Sequence, residues 1–193
     1  MSTGLIIVIV VVVVAVVALA ALAFMRPQQR NRRLRQQFGP EYDRELAQHD
    51  GDTRATDQVL EQRVKRAGDL DIRPLDPAQR ERALAQWNTL QEQFVDSPAK
   101  AVIDADRLLG EVMRDRGFPD DDAQDDRYAA LSVHHARALP GYRTSRQFAE
   151  RAQRGEATTE ELRKAFVNAR ETFDQLVGAE TATTSTSSNE RTA

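Results

Sequence analysis

The chain has 193 residues, 27 Lys+Arg against 30 Asp+Glu, a net charge of −3 and no cysteine. The absence of cysteine excludes disulfides, thiolate metal sites and a cysteine nucleophile. The charge is divided: residues 1–40 hold no acid and five arginines, while the rest carries 22 basic against 30 acidic side chains. An acidic body of this kind lacks the basic face that contact with nucleic-acid phosphates requires.

After a short uncharged N-terminus, residues 1–4, come 21 consecutive apolar residues, Leu5 to Met25. At about 1.5 Å rise per residue, a helix of that length spans the roughly 30 Å hydrocarbon core of a bilayer. The pattern predicts a transmembrane helix over 5–25, because a lone segment in lipid satisfies its backbone only as a helix. Ala21-Leu22-Ala23 has the form of a signal-peptidase site, so a chain cleaved near Ala23 and secreted is the alternative. Three features favour a permanent anchor. Met1 to Gly4 carries no charged side chain, the run exceeds the roughly 7–15 residues of a signal-peptide core, and the arginines follow the run instead of preceding it. Arginines on that flank oppose its translocation, which puts the N-terminus outside and residues 26–193 in the cytoplasm of a single-pass cell-membrane protein.

Residues 26–40 form a basic collar containing Arg26, Arg30, Arg32, Arg33 and Arg35. Pro27 is expected to end the membrane helix. Leu34 and Phe38 stand four apart, so a short helix would lay both on the headgroups while the arginines meet lipid phosphates. The plainer reading is that the collar is a topology signal alone. Gly39-Pro40 then breaks the chain. Residues 41–75 have sparse apolar positions (Tyr42, Leu46, Val59, Leu60, Val64) and an interruption at His49 to Asp52, and they lead into a stretch with two prolines, Leu70 to Pro77. They are expected to form a polar helical stalk and an extended connector.

From residue 76 the helical signal is dense. Asp76-Pro77 starts a helix carrying Leu84, Trp87, Leu90, Phe94 and Val95 at three- and four-residue steps. Ser97-Pro98 starts a second, with Ala101, Val102, Ala105, Leu108, Leu109, Val112 and Met113, stopped by Gly117. The short link between them predicts an antiparallel hairpin. A weaker helix follows over 123–137, ended by Pro140-Gly141, then a short one from Tyr142 to Arg154 with Phe148 inward. A last one begins at a Thr158/Glu161 capping box and carries Leu162, Ala165, Phe166, Ala169, Phe173, Leu176 and Val177. The expected fold class is all-α: a transmembrane helix followed by a bundle of about five helices over 76–178, with a polar Ser/Thr-rich tail over 179–193 that is expected to be disordered.

The search for chemistry turns up one candidate. Asp120, Asp121, Asp122, Asp125 and Asp126 offer the oxygen ligands that Mg²⁺ or Ca²⁺ prefers, but without the glycine and glutamate of a helix–loop–helix calcium site. The competing role for Asp120 to Asp122 is to sit at the positive end of the next helix. His134 and His135 are neighbours on a predicted helix, about 100° apart, and cannot share a metal. Zincin, nucleophile-elbow and phosphate-loop motifs are missing. Asp104, Arg107 and Glu111 read as surface ion pairs.

Several stretches carry a resemblance: FGPEYD at 38–43, LDIRPL at 70–75, the W-x-x-x-Q-x-x-F-V-D pattern at 87–96, VMRDRGFP at 112–119 and TTEELRKAF at 158–166. Together they resemble an uncharacterised bacterial family, common in actinobacteria, of single-pass membrane-anchored helical proteins labelled hypothetical or secreted. The resemblance implies the same anchor-plus-helices layout and no activity or site residue. The functional expectation is a membrane-anchored, non-enzymatic interaction or scaffold module without a cofactor. Its partners are the lipid bilayer and a protein that the sequence does not identify, with no nucleic acid. The alternatives are a metal-binding enzyme or sensor using the acidic loop, and an element responding to anionic lipid or envelope stress through the arginine collar. The oligomeric state is left open.

Overall fold

The computed structural model describes residues 31–178 together with Val12, and for Asp121 the backbone alone. The apolar run at 5–25 (Val12 apart), Arg26, Arg30 and the tail at 179–193 lie outside the described residues. What is described is all-helical, without strands, and among those residues no helix is long and apolar enough to cross a membrane. The chain divides into two compact units, Met1–Leu60 and Glu61–Ala193.

In the first unit residues 31–38 are helical. They are followed by α1 (Pro40–Gln48) and α2 (Thr53–Gly68), the latter running on into the second unit. Gly39 and Pro40 break the first helix as expected, and His49 to Asp52 separates α1 from α2. The start of α2 is set by Asp52, whose carboxylate accepts the backbone N–H groups of Arg54 (2.8 Å) and Ala55 (3.1 Å). Those bonds hold its pKa below the usual carboxylate range. Of the two readings of the collar, the one that lays Leu34 and Phe38 on headgroups needs them exposed, and they are interior. Leu34 is 5% exposed and Phe38 is 0% exposed. Tyr42 and Leu60 are buried as well, so the segment read as a loose stalk has interior positions of its own.

The second unit contains the five helices expected over 76–178: α3 (Pro77–Asp96), α4 (Pro98–Asp115), α5 (Gln124–His134), α6 (Leu139–Gln153) and α7 (Thr159–Val177). Helix α4 is central and packs on α3, α6 and α7, while α6 also packs on α7. Its burial reaches beyond one stripe, to Ala101, Val102, Ala105, Leu108, Leu109, Gly110, Val112 and Met113, as a helix with neighbours on several sides requires. Between α3 and α7 runs a ladder of rings: Trp87 stacks on Phe166 (5.2 Å between centroids) and Phe173 (4.8 Å), and Phe94 stacks on Phe166 (4.5 Å). Each such pair contributes about 0.5–1.5 kcal/mol beyond its area burial.

Two capping boxes, Asp76 with Gln79 and Thr158 with Glu161, open α3 and α7. Ser97 precedes α4 but its side chain makes no cap bond, so Pro98 alone marks that start. Two expectations need correcting. Val95 is 81% exposed because it lies one residue, about 100°, past the buried edge that ends at Phe94. Pro140-Gly141 does not end a helix but lies in the first turn of α6, where the missing proline N–H would have had no helical partner anyway. Helix α5 ends earlier, with His135 as its C-cap.

The connector between α2 and α3 is not a free linker. Leu75 is buried, and Leu70 and Ile72 pack against the main core. The connector's backbone is pinned to the end of α4: Arg73 N–H donates to Arg116 O at 2.9 Å. Gly117 turns beneath it with φ +90°, and a β-carbon there would stand 2.3 Å from the Asp71 carbonyl oxygen. Glycine is required at this point for space and for conformation.

Candidate functional site

The acidic loop is spread out. Asp120 pairs with Arg114 at 3.0 Å, and its carboxylate makes no cap bond to the 3₁₀ turn Asp121–Ala123 that follows. Asp122, Asp125 and Asp126 are exposed, and Asp125 and Asp126 occupy the first turn of α5. There they favour the positive end of the helix dipole. Among the described residues no group of three or more His, Cys, Asp or Glu side chains is placed to hold a metal ion. Asp126 instead borders a hollow of about 220 Å³ with Arg66, Leu70 and Pro119.

The described part of the arginine collar shows two kinds of residue. Arg32 and Arg33 are exposed on helix 31–38. Arg35 is engaged: its Nε donates to Asn31 Oδ1 (3.1 Å), its guanidinium lies 4.7 Å from the Tyr42 ring centre, and Nη1 is 3.7 Å from Asp43. Tyr42 in turn accepts from Asn31 Nδ2 and donates to Asp57 Oδ1 at 3.0 Å. Burial, then the Asp57 carboxylate, pushes its phenol pKa up.

The strongest concentration of buried polar groups was not foreseen from sequence. Arg127 of α5 is 0% exposed. Its Nε donates to Pro119 O at 2.6 Å and its Nη1 to Tyr142 Oη at 3.5 Å. Arg146, one turn along α6, donates to the same phenol at 3.3 Å and stands 4.0 Å from Asp106 of α4. Tyr128 meets Tyr142 edge-to-face at 5.8 Å and carries Arg143 over its own ring at 4.9 Å. Burial raises the Tyr142 pKa and Asp106 adds to it, while Arg127 and Arg146 pull it back. Removing a buried partner from such a set costs several kcal/mol, which ties α4, α5 and α6 into one arrangement. The signal was present in α5: Arg127 occupies the helical stripe of Ala130 and Leu131, where an apolar residue is the rule.

A second buried arginine, Arg116, ends α4. Its Nε donates to Arg73 O (3.1 Å), and its Nη1 lies 2.8 Å from Leu176 O and 3.0 Å from His135 Nε2. A guanidinium only donates, so His135 accepts at Nε2 and carries its proton on Nδ1. Burial first, then the Arg116 charge, then His134, lower the His135 pKa to about 4. His134 is separate from this cluster, with Nε2 3.3 Å from the Ala67 carbonyl.

A groove of about 260 Å³ between α3 and α4 is lined by the apolar Leu90 and Leu108 and by polar side chains that include Gln86, Asp104, Arg107 and Glu111. Lys100 (2.6 Å) chiefly, with Gln93 (3.2 Å) and Arg107 (3.0 Å), holds the Asp104 carboxyl below the usual range against the opposing effect of burial. Of the ion pairs expected among Asp104, Arg107 and Glu111, the one between Asp104 and Arg107 is present, with Lys100 added.

No family model, curated protein or solved structure matches the chain.

Proposed function

We propose that the chain is a membrane-tethered, non-enzymatic interaction module: a single apolar helix over 5–25 holds a helical body at the cytoplasmic face, where it recruits a protein partner. The observation that carries this reading is the junction between run and body. There, 21 apolar residues are followed by arginines. Arg32 and Arg33 of that collar are exposed, whereas the neighbouring Leu34 and Phe38 are turned into the interior. The buried and half-buried ionisable groups support the non-enzymatic part. Arg127, Tyr142, Arg146 and Asp106 bind one another and the backbone, and none of them lines the hollows described above. The family resemblance implies the same layout.

The test is fractionation combined with a topology reporter. The full chain is expected in the membrane pellet after an alkaline wash, with a reporter fused after Ala193 active in the cytoplasm, and deletion of residues 5–25 is expected to release it. A soluble product that begins near Phe24 overturns the anchor. Purification in mild detergent is expected to return one stoichiometric protein partner, and a bare chain at every detergent strength overturns the recruiting role.

Exposed Arg32 and Arg33 favour a second reading, in which the collar itself reads anionic lipid. Each arginine near such a surface adds about 1 kcal/mol. A peptide of residues 26–43 would then bind vesicles more tightly as anionic lipid rises and more weakly as salt rises. Indifference to both removes this reading.

A further inference from the structure

Four segments far apart in the sequence meet at the Arg116 guanidinium. It holds the connector through Arg73 O (3.1 Å) and the last turn of α7 through Leu176 O (2.8 Å), and it donates to His135 Nε2 (3.0 Å) at the C-cap of α5. Only 5% of Arg116 is exposed, so water is poorly placed to replace any of these bonds. The Phe118 ring covers the cluster, with its centre 5.7 Å from the guanidinium carbon and 6.1 Å from the His135 ring.

We propose that His135 is an acid-sensitive latch. Its neutral ring accepts a hydrogen bond from Arg116, and a proton taken from solvent at Nε2 turns that acceptor into a second cation facing the guanidinium. The contact then becomes repulsive, Arg116 is displaced, and the last turn of α7 is released together with the connector.

Opposing influences act on the ring. The C-terminal ends of α5 and α7 present carbonyls, whose dipoles favour a cation. Arg116 of α4 and His134 of α5 oppose one, as does burial. From α3, Arg80 Nε lies 3.5 Å from the Val177 carbonyl, which commits one of those carbonyls to another cation. From the connector and from α7, it is the Arg73 and Leu176 backbone carbonyls that reach this cluster, through Arg116. The opposing effects win, and the folded-state pKa lies at about 4, below the ordinary histidine value of about 6.5. Its being lowered means that opening is driven by protonation across that interval, and that the latch stays closed above it.

The experiment is amide hydrogen exchange on the full chain in detergent micelles, at pH 7 and pH 5, corrected for intrinsic exchange. The linkage between the two pKa values predicts a fall of roughly 20-fold in protection at Arg73 and Val177 between these pH values. Leu109, inside α4, is expected to hold its protection. In His135→Gln, whose side-chain oxygen still accepts from Arg116 but does not titrate, protection at Arg73 and Val177 is expected to be the same at both pH values. A flat wild type, an equal fall in His135→Gln, or a uniform loss that includes Leu109 overturns the latch. Should that variant fail to fold, a magnetic-resonance titration of the wild-type ring decides. Protonation below pH 5 from the Nδ1–H tautomer supports the proposal, and a midpoint near 6.5 overturns it.

Discussion

Arg127 and Gly117 show how single residues hold this body together, each for a different physical reason. Arg127 is a charge with no exposed surface, bonded to Pro119 O and Tyr142. Arg127→Ala leaves a cavity, a stranded carbonyl and a phenol short of a donor, and is expected to cost about 3–5 kcal/mol. Arg127→Met fills similar volume without a charge and is expected to recover most of that loss. Urea unfolding of both variants checks this, and a Met variant as unstable as the Ala variant would show that the charge itself is needed. Gly117 and Gly155 both have positive φ, +90° and +70°, but only Gly117 is also crowded, by the Asp71 carbonyl oxygen at 2.3 Å. Gly155→Ala should therefore cost about 1 kcal/mol, the conformational strain alone. Gly117→Ala should cost at least about 2 kcal/mol more, since the connector has to move. Equal melting temperatures for the two variants would contradict this account.

Helix boundaries are the features that local chemistry decides best, and the exceptions are informative. The boxes at Asp76/Gln79 and Thr158/Glu161 each satisfy backbone donors reciprocally. Thr158→Ala and Asp76→Ala are each expected to cost about 1 kcal/mol. Ser97→Ala is expected to stay within about 0.5 kcal/mol, because Ser97 makes no cap bond although its sequence context is the same. Thermal melts of the three variants give the comparison. Pro140-Gly141, expected to end a helix, instead lies in the first turn of one. A Pro-Gly pair is compatible with either, and the choice fell to Leu139 and Tyr142, both buried when the helix begins at Leu139. Leu34 and Phe38 are a similar case: spacing placed them together on one helical face, but whether that face meets lipid or protein is not a local property.

For the whole molecule, acid is the condition that tests several interactions at once. Asp104, held chiefly by Lys100, and Glu161, held chiefly by the Thr158 backbone, have lowered pKa values. Their contribution is complete above the ordinary carboxylate range and is lost as pH falls through the folded values. His135 acts in the same direction but earlier. Its folded pKa of about 4 lies below the ordinary histidine value of about 6.5, so the unfolded chain binds the extra proton as pH falls between them. Stability should therefore decline on acidification from about pH 6.5. His135 would account for on the order of 2 kcal/mol once screening of a half-buried ring is allowed for. Urea midpoints at pH 7.5, 6 and 4.5 measure this, with His135→Gln expected to lose its decline between the first two. A midpoint that rises on acidification would reverse the assignment.

The all-helical class, the positions of α3, α4 and α7, the hairpin break at Ser97-Pro98 and the division between a basic start and an acidic body are all legible in the residue order. Periodicity, caps and charge counts act over a few neighbouring residues and are readable without a fold. Which polar side chains are interior depends on how distant segments pack. Arg127 joins Pro119 to Tyr142, and Arg116 joins residues 73, 135 and 176. An arginine at a helix end or in a short helix looks solvated until the segments around it are known, because its burial is set by chain that lies tens of residues away. The acidic loop is the converse case. Five carboxylates close in sequence suggested a site, and the fold pairs Asp120 with Arg114 and leaves Asp122, Asp125 and Asp126 in solvent.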